Sequence, residues 1–124
     1  MKNVDKTSYK SIRSYITKDG SSIKELMHPS THGNANQSFA EATVSPGIKT
    51  QAHRHRKSEE LYHITQGSGR MALGARTFDV EVGDTVLVPP GTPHYIENIS
   101  NEPLKMLCCC SPPYSHDDTE LLEL

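Results

Sequence analysis

The chain has 124 residues and a mass of 13.7 kDa, enough for one hydrophobic core but not two. Its 13 basic and 15 acidic side chains leave a formal net charge of -2, and the one basic run, Arg54, Arg56 and Lys57, is followed at once by Glu59 and Glu60, so the large basic footprint of a nucleic-acid-binding protein is missing. No apolar stretch approaches the roughly 20 residues of a membrane span, Met1 to Tyr9 lacks the apolar centre of a secretory signal, and the adjacent Cys108, Cys109 and Cys110 do not form a disulfide framework. The expected location is therefore the cytoplasm.

Taken in chain order, residues 1–37 read as an N-terminal arm with the first strands. Ser11 to Thr17 is rich in β-formers, Asp19-Gly20 signals a turn, Ile23 to Met27 resumes an extended pattern, and His28 to Gln37 reads as a polar loop. From residue 38 to residue 110 short strands and turns alternate. The expected strands are Phe39–Val44, an extended segment at His53–His55, Glu60–Thr65, Arg70–Leu73, Thr77–Val82, Thr85–Val88, His94–Asn98 and Leu104–Cys110. The turns between them carry Ser45-Pro46-Gly47, Gly67-Ser68-Gly69, Gly74-Ala75-Arg76 and Pro89-Pro90-Gly91. Strands at this spacing, with a mean hydropathy of -0.60, predict one all-β domain with a thin core. In the tail, residues 111–124, Ser115 and Asp118 have capping-box spacing ahead of Leu121 and Leu122, which predicts a short helical turn.

The residues that carry chemistry are His53, His55, Glu60 and His94. On an extended strand, residues i and i+2 face the same side, so His53 and His55 point together into one cavity while Arg54 points away. Glu60 opens the next strand after a short turn, and His94 arrives on a later one. Neutral imidazoles with one carboxylate suit a borderline divalent ion: Fe, Mn, Ni, Co, Cu or Zn.

The wider spacing resembles the two motifs of the cupin superfamily. Gly47, five residues, His53-x-His55, four residues, Glu60, six residues and Gly67 follow the first motif. Gly83, five residues, Pro89-x-Gly91, two residues, His94, three residues and Asn98 follow the second, 15 residues further on. Asp19-Gly20-Ser21, Lys24-Glu25-Leu26 and the stretch from Cys109 to Thr119 also resemble a group of small microbial cupins without a settled activity. The resemblance implies a double-stranded β-helix barrel of jelly-roll type. It also implies one metal ion on His53, His55, Glu60 and His94, with two octahedral positions left for water, substrate or dioxygen.

Alternation then assigns the lining. Tyr62 and Ile64 follow Glu60 inward, as do Gly69, Met71 and Leu73 after Gly67, and Met106, Cys108 and Cys110 opposite an outward Lys105. Alternation puts His63 on the outer face, while the resemblance, through the six-residue count to Gly67, puts Glu59 on the rim and implies a loop brace at Asn98. Tyr62, Gln51 at the cavity mouth, Cys108 and Cys110 are the candidates for contact with a substrate, although buried cysteines are commonly just small hydrophobes. The expected activity is that of a metal-dependent enzyme on a small organic molecule, a dioxygenase, decarboxylase or isomerase, which binds a carboxylate or enolate oxygen at the open positions. The rival is a non-catalytic binding module. A sugar-phosphate isomerase-like activity is a further alternative, disfavoured because no Lys or Arg cluster faces inward. A homodimer that exchanges the arm from Ser8 to Leu26 is expected, with no membrane or nucleic-acid partner.

Overall fold

A computed structural model describes residues 4–123. Eleven strands and one short helix are formed among them: β1 Ser14–Ile16, β2 Ser22–Met27, α1 Pro29–His32, β3 Ser38–Val44, β4 His53–His55, β5 Glu59–Gln66, β6 Ser68–Leu73, β7 Arg76–Glu81, β8 Thr85–Val88, β9 His94–Asn98, β10 Leu104–Ser111 and β11 Thr119–Leu121. Every pairing is antiparallel. One sheet has the order β1-β2-β3-β10-β5-β8 and the other β11-β4-β9-β6-β7. The pairings of β3 with β10 and of β5 with β8 are those of a jelly roll, as the motifs imply, with the described strands in two facing sheets that do not close into one hydrogen-bonded barrel.

The period of two decides which side chains meet between the sheets. Along β5, Glu60, Tyr62 and Ile64 are buried while Glu59, Leu61 and His63 are exposed; along β10, Leu104, Met106, Cys108 and Cys110 are buried. Ile64, Met71, Leu104, Met106, Val88 and Ile96 form the centre of the core with almost no exposed surface. Each such side chain contributes about 1.5–3 kcal/mol by leaving water. The registers place inward residues in rows across the larger sheet. One row is Ser38, Cys110, Glu60 and Val88; the next is Glu25, Ala40, Cys108, Tyr62 and Val86. Asn98 is the expected brace: its amide donates to the carbonyls of Val44 and Glu102, both at 2.8 Å, and its oxygen accepts from Ser100 N–H and Oγ–H.

Three local expectations are corrected. Ser11 to Thr17 holds a strand only over Ser14–Ile16, preceded by a 3-10 turn at Tyr9–Ser11. The polar loop contains α1, begun by Pro29 and capped by His28 Nδ1, which accepts from Ser30 N–H. In the tail, two successive i,i+3 bonds (Asp118 N–H to Ser115 O and Thr119 N–H to His116 O) form the short turn. Leu121 then continues as strand rather than helix. Asp118 does not close a capping box: its carboxylate accepts the backbone N–H groups of Lys57 and Ser58. The residues beyond pair with β4, and Leu122 N–H donates to Ala52 O.

Candidate metal centre and cavity

β4 is only three residues long, and its alternation buries His53 and His55 and leaves Arg54 at the surface with Glu120. His53 lies directly across from His94 in the β4–β9 ladder, and their rings are 4.2 Å apart between centroids. Nitrogen atoms of His53, His55 and His94 all lie within 4.8 Å of one another. Glu60 comes from the opposite sheet: its Oε1 is 3.2 Å from His55 Nε2 and 3.5 Å from His94 Nε2. Atoms that each sit about 2.1 Å from a shared ion are separated by about 3–4.2 Å. The Glu60 contacts at 3.2 and 3.5 Å lie in that range, and the imidazole nitrogens, within 4.8 Å of one another, lie in it or just above it, so a small inward shift would close the set on one ion.

The orientation of each ring agrees with that. His53 Nδ1 donates to the Gln51 carbonyl and His94 Nδ1 to the Thr92 carbonyl, each at 3.0 Å. His55 Nδ1 meets Thr119 Oγ1 at 3.0 Å; that hydroxyl spends its own proton on Ser115 O, so it accepts from the ring. With Nδ1 protonated, a neutral imidazole has its lone pair on Nε2, facing the common point. Glu60 Oε1 and His94 Nε2 are shut from solvent and have no hydrogen-bond partner. A pair of orphaned buried acceptors is costly unless something electropositive lies between them.

The charges suit an ion. Burial pushes the Glu60 carboxyl upward, but when His55 and His94 carry a proton on Nε2 their hydrogen bonds and charge outweigh burial and hold it at about 2; an ion between the neutral rings would take the place of those protons. Burial, then the neighbouring His94, lower the His53 imidazole below its usual range and keep it neutral. Tyr62, Cys108 and Cys110 are pushed well up by burial and by the charge of Glu60 and stay protonated.

Beside the centre lies a cavity of about 50 Å³, room for about four water molecules or one small organic molecule. Tyr62, Cys108 and Cys110 line it as alternation requires, whereas Gln51 does not. Gln51 is exposed and serves through its carbonyl, because β4 begins only at His53 and strand alternation does not reach back to position 51. The N-terminal strands supply residues that sequence reasoning missed: Tyr15, Asp19 and Glu25 line the cavity, joined by Tyr114 from the tail. Asp19 Oδ2 lies 3.8 Å from His53 Nε2, while its Oδ1 accepts from Ser21 N–H and Oγ–H. The same alternation that places Ile23 inward places Glu25 inward, so one signal was present for Glu25. Asp19 carried only that of a turn.

The model of the cupin domain matches residues 40–110. An uncharacterized protein of Methanocaldococcus jannaschii, MJ1618, is 57% identical over 118 residues, covering 95% of this chain and 94% of its own. Oxalate decarboxylase OxdC of Bacillus subtilis is 36% identical over 91 residues, which is 68% of this chain but 24% of that enzyme. Among solved structures, the Lactobacillus farciminis oxalate decarboxylase formate complex superposes with a TM-score of 0.82 at 23% identity, over 96% of this chain and 37% of that one.

Proposed function

This chain belongs to the cupin family, and on that footing we propose that it is a metal-dependent enzyme acting on a small organic molecule, with His53, His55, Glu60 and His94 as the ligands of one divalent ion. The observation that carries the reading is the convergence of lone pairs from two sheets on one point, with Glu60 Oε1 and His94 Nε2 left unpartnered. Bound there, Fe, Mn, Ni, Co, Cu or Zn would supply Lewis-acid polarisation of a substrate oxygen or activation of dioxygen, the chemistry of a decarboxylase, an isomerase or a dioxygenase.

The chain's own groups set the stage for it. The carbonyls of Gln51 and Thr92 and the Thr119 hydroxyl fix the three rings. Cys110 holds the outer oxygen of Glu60. Tyr62, kept protonated, presents a hydroxyl to a ligand oxygen, and Ile23, Ala40 and Ala42 keep that end of the cavity dry. Among the described residues the lining contains no Lys or Arg, which speaks against a phosphorylated sugar. We also place the protein in the cytoplasm, in keeping with three free cysteines. A homodimer formed through the arm from Ser8 to Leu26 fits the position of β1 at a sheet edge, with Ile16 exposed.

The test is metal analysis of protein purified without chelator, alongside His94→Ala. About one equivalent of a transition metal in the wild type, lost in the variant, is expected. Turnover of a panel of small carboxylates and diketones by protein reloaded with Fe(II) or Mn(II) then separates an enzyme from a binding module. Protein that takes up no metal under any loading condition overturns the reading.

A further inference from the structure

The cavity has two ends of different chemistry. At one end are the imidazoles, Glu60 and Asp19. At the other, Glu25 projects inward from β2, in the same cross-strand row as Tyr62 and three strands away from it, a backbone separation of about 14 Å at 4.8 Å per strand. Tyr15, Glu25 and Tyr114 also line an outer groove with His28, Ser30, Thr31 and His116, so they stand between the cavity and the surface.

Glu25 is half-satisfied. Its Oε2 accepts from the Tyr15 hydroxyl at 2.9 Å, while its Oε1 is shut from water and has no partner. Burial, followed by the charge of Glu25, pushes the Tyr15 phenol up, so Tyr15 keeps its proton and remains the donor of that pair. As a carboxylate, Glu25 leaves a free oxygen that can only accept, and a buried acceptor without a donor is costly. Among the described residues no Lys or Arg lines the cavity, while three carboxyl groups, Asp19, Glu25 and Glu60, do. The adjacent Lys18 turns away, donating to the carbonyls of His116 and Thr119. Even a divalent ion at the histidines leaves the formal sum of the ion and these three groups at minus one.

We propose that Glu25 is a ligand-selecting residue, and that the cavity takes a small uncharged or cationic molecule whose far end presents a hydroxyl or ammonium donor to Glu25 Oε1 while its near end lies at the metal centre. The inference rests on the metal-enzyme reading above and narrows its substrate class. Oxalate, a dianion with no donor, is the wrong occupant on both counts. A site built to hydrogen-bond an O–H or N–H discriminates strongly against analogues that lack it, and like charge across a small cavity does so as well.

The experiment compares three probes of equal length, 4-aminobutan-1-ol, 1,4-butanediol and succinate, by saturation-transfer NMR titration of Zn(II)-loaded and metal-free protein, with metal content measured on the same samples. Binding of the amino alcohol or the diol at least tenfold tighter than succinate is expected; the stronger of the two identifies the donor as ammonium or hydroxyl. Glu25→Gln, which turns an amide N–H₂ toward the cavity, should weaken both donor-ended probes about tenfold and favour succinate. Tyr15→Phe, which keeps the carboxylate, should preserve the wild-type ranking and serves if the first variant folds poorly. Succinate binding as tightly as the donor-ended probes, a ranking unmoved by Glu25→Gln, or no measurable binding of either donor-ended probe overturns the inference. Failure of the metal centre is read separately, as absence of zinc from samples whose metal-free ranking still depends on Glu25.

Discussion

Cys110 Sγ lies 3.3 Å from Glu60 Oε2 and donates to it, leaving Oε1 as the oxygen that faces the imidazoles. The pairing follows from register: Cys110 sits directly opposite Glu60 in the β10–β5 ladder, and both are on the inward face. A protonated thiol thus fixes the rotation of a carboxylate whose other oxygen is the proposed ligand. Partners of this kind are worth about 10–100-fold in metal affinity. Cys110→Ala should weaken Mn(II) or Zn(II) binding by about tenfold, and Cys110→Ser, which keeps a donor, by no more than a few-fold. Equal affinities for the alanine variant and the wild type, measured by competition with a chelator, would show that Glu60 is held by other means.

Metal removal should cost stability. A ligand that binds only the folded chain stabilises it by about 4 kcal/mol at a thousand times its dissociation constant. For a chain of 124 residues that corresponds to a shift in Tm of about 16 °C, at about 4 °C per kcal/mol. EDTA should lower the Tm of the loaded wild type by that order, and should leave His94→Ala unchanged. Differential scanning fluorimetry with and without chelator reads both.

Much of the centre was legible because its signals are local. His53-x-His55 needs only the period of two to share a face, while Glu60 and His94 are picked out by the likeness of their spacings to Gly67, Gly91 and Asn98 to the two cupin motifs. The rest depends on long-range pairing. Asp19 and Glu25 reach the cavity because β2 pairs with β3 in the larger sheet; alternation gives the face of Glu25, but no local pattern encodes the pairing that brings it there. The tail shows the same conflict in reverse. Ser115 and Asp118 carry a helix-start pattern, yet Asp118 is drawn to Lys57 and Ser58, Glu120 to Arg54 and Arg56, and the ladder with β4 makes the following residues a strand. Local propensity yields there to backbone pairing that also seats Thr119 beneath His55.

Alkaline pH should destabilise the fold. Cys108 and Cys110 are pushed up by burial and then by the charge of Glu60, whereas in the unfolded chain each thiol ionises near about 8.5. Above that pH the unfolded state binds fewer protons than the folded one, so stability falls as pH rises. Two such thiols give a slope of about 2.7 kcal/mol per pH unit, and Cys108→Ala should remove about half of it. Urea denaturation at pH 8, 9 and 10 measures the slope; a flat profile would mean that the thiols ionise in the folded state.

Gly69 marks a close approach of β6 to its sheet neighbour β9 and to Leu104 of the facing sheet. A Cβ at this position would lie 2.9 Å from Leu104 Cδ2, 3.0 Å from the Glu97 carbonyl oxygen and 3.3 Å from Ile96 Cγ1. The Glu97 oxygen belongs to the neighbouring strand and cannot turn aside, and Leu104 is fully buried. Gly69→Ala should therefore cost about 1–3 kcal/mol by overpacking, without altering metal stoichiometry. Denaturant midpoints measure the cost, and an unchanged midpoint would show that β6 and β9 can part to admit a methyl group.

Thr119 gives the most specific check on ring orientation. Its hydroxyl donates to Ser115 O at 2.8 Å and accepts from His55 Nδ1–H at 3.0 Å, so the direction of the first bond dictates the second, and with it the lone pair on His55 Nε2. Thr119→Val keeps the shape and the β-branch but removes the acceptor, leaving Nδ1–H buried without a partner and the competing tautomer, with its proton on Nε2, more accessible. Metal affinity should fall by about 10–100-fold, while Thr119→Ser restores most of it. Nitrogen-15 chemical shifts of the metal-free protein distinguish the tautomers directly: the wild type should show His55 protonated on Nδ1, and the valine variant a mixture. A valine variant that retains the Nδ1–H tautomer with undiminished affinity would assign the orientation of His55 to ring packing against Tyr114, whose ring centroid is 5.7 Å away, rather than to the hydroxyl.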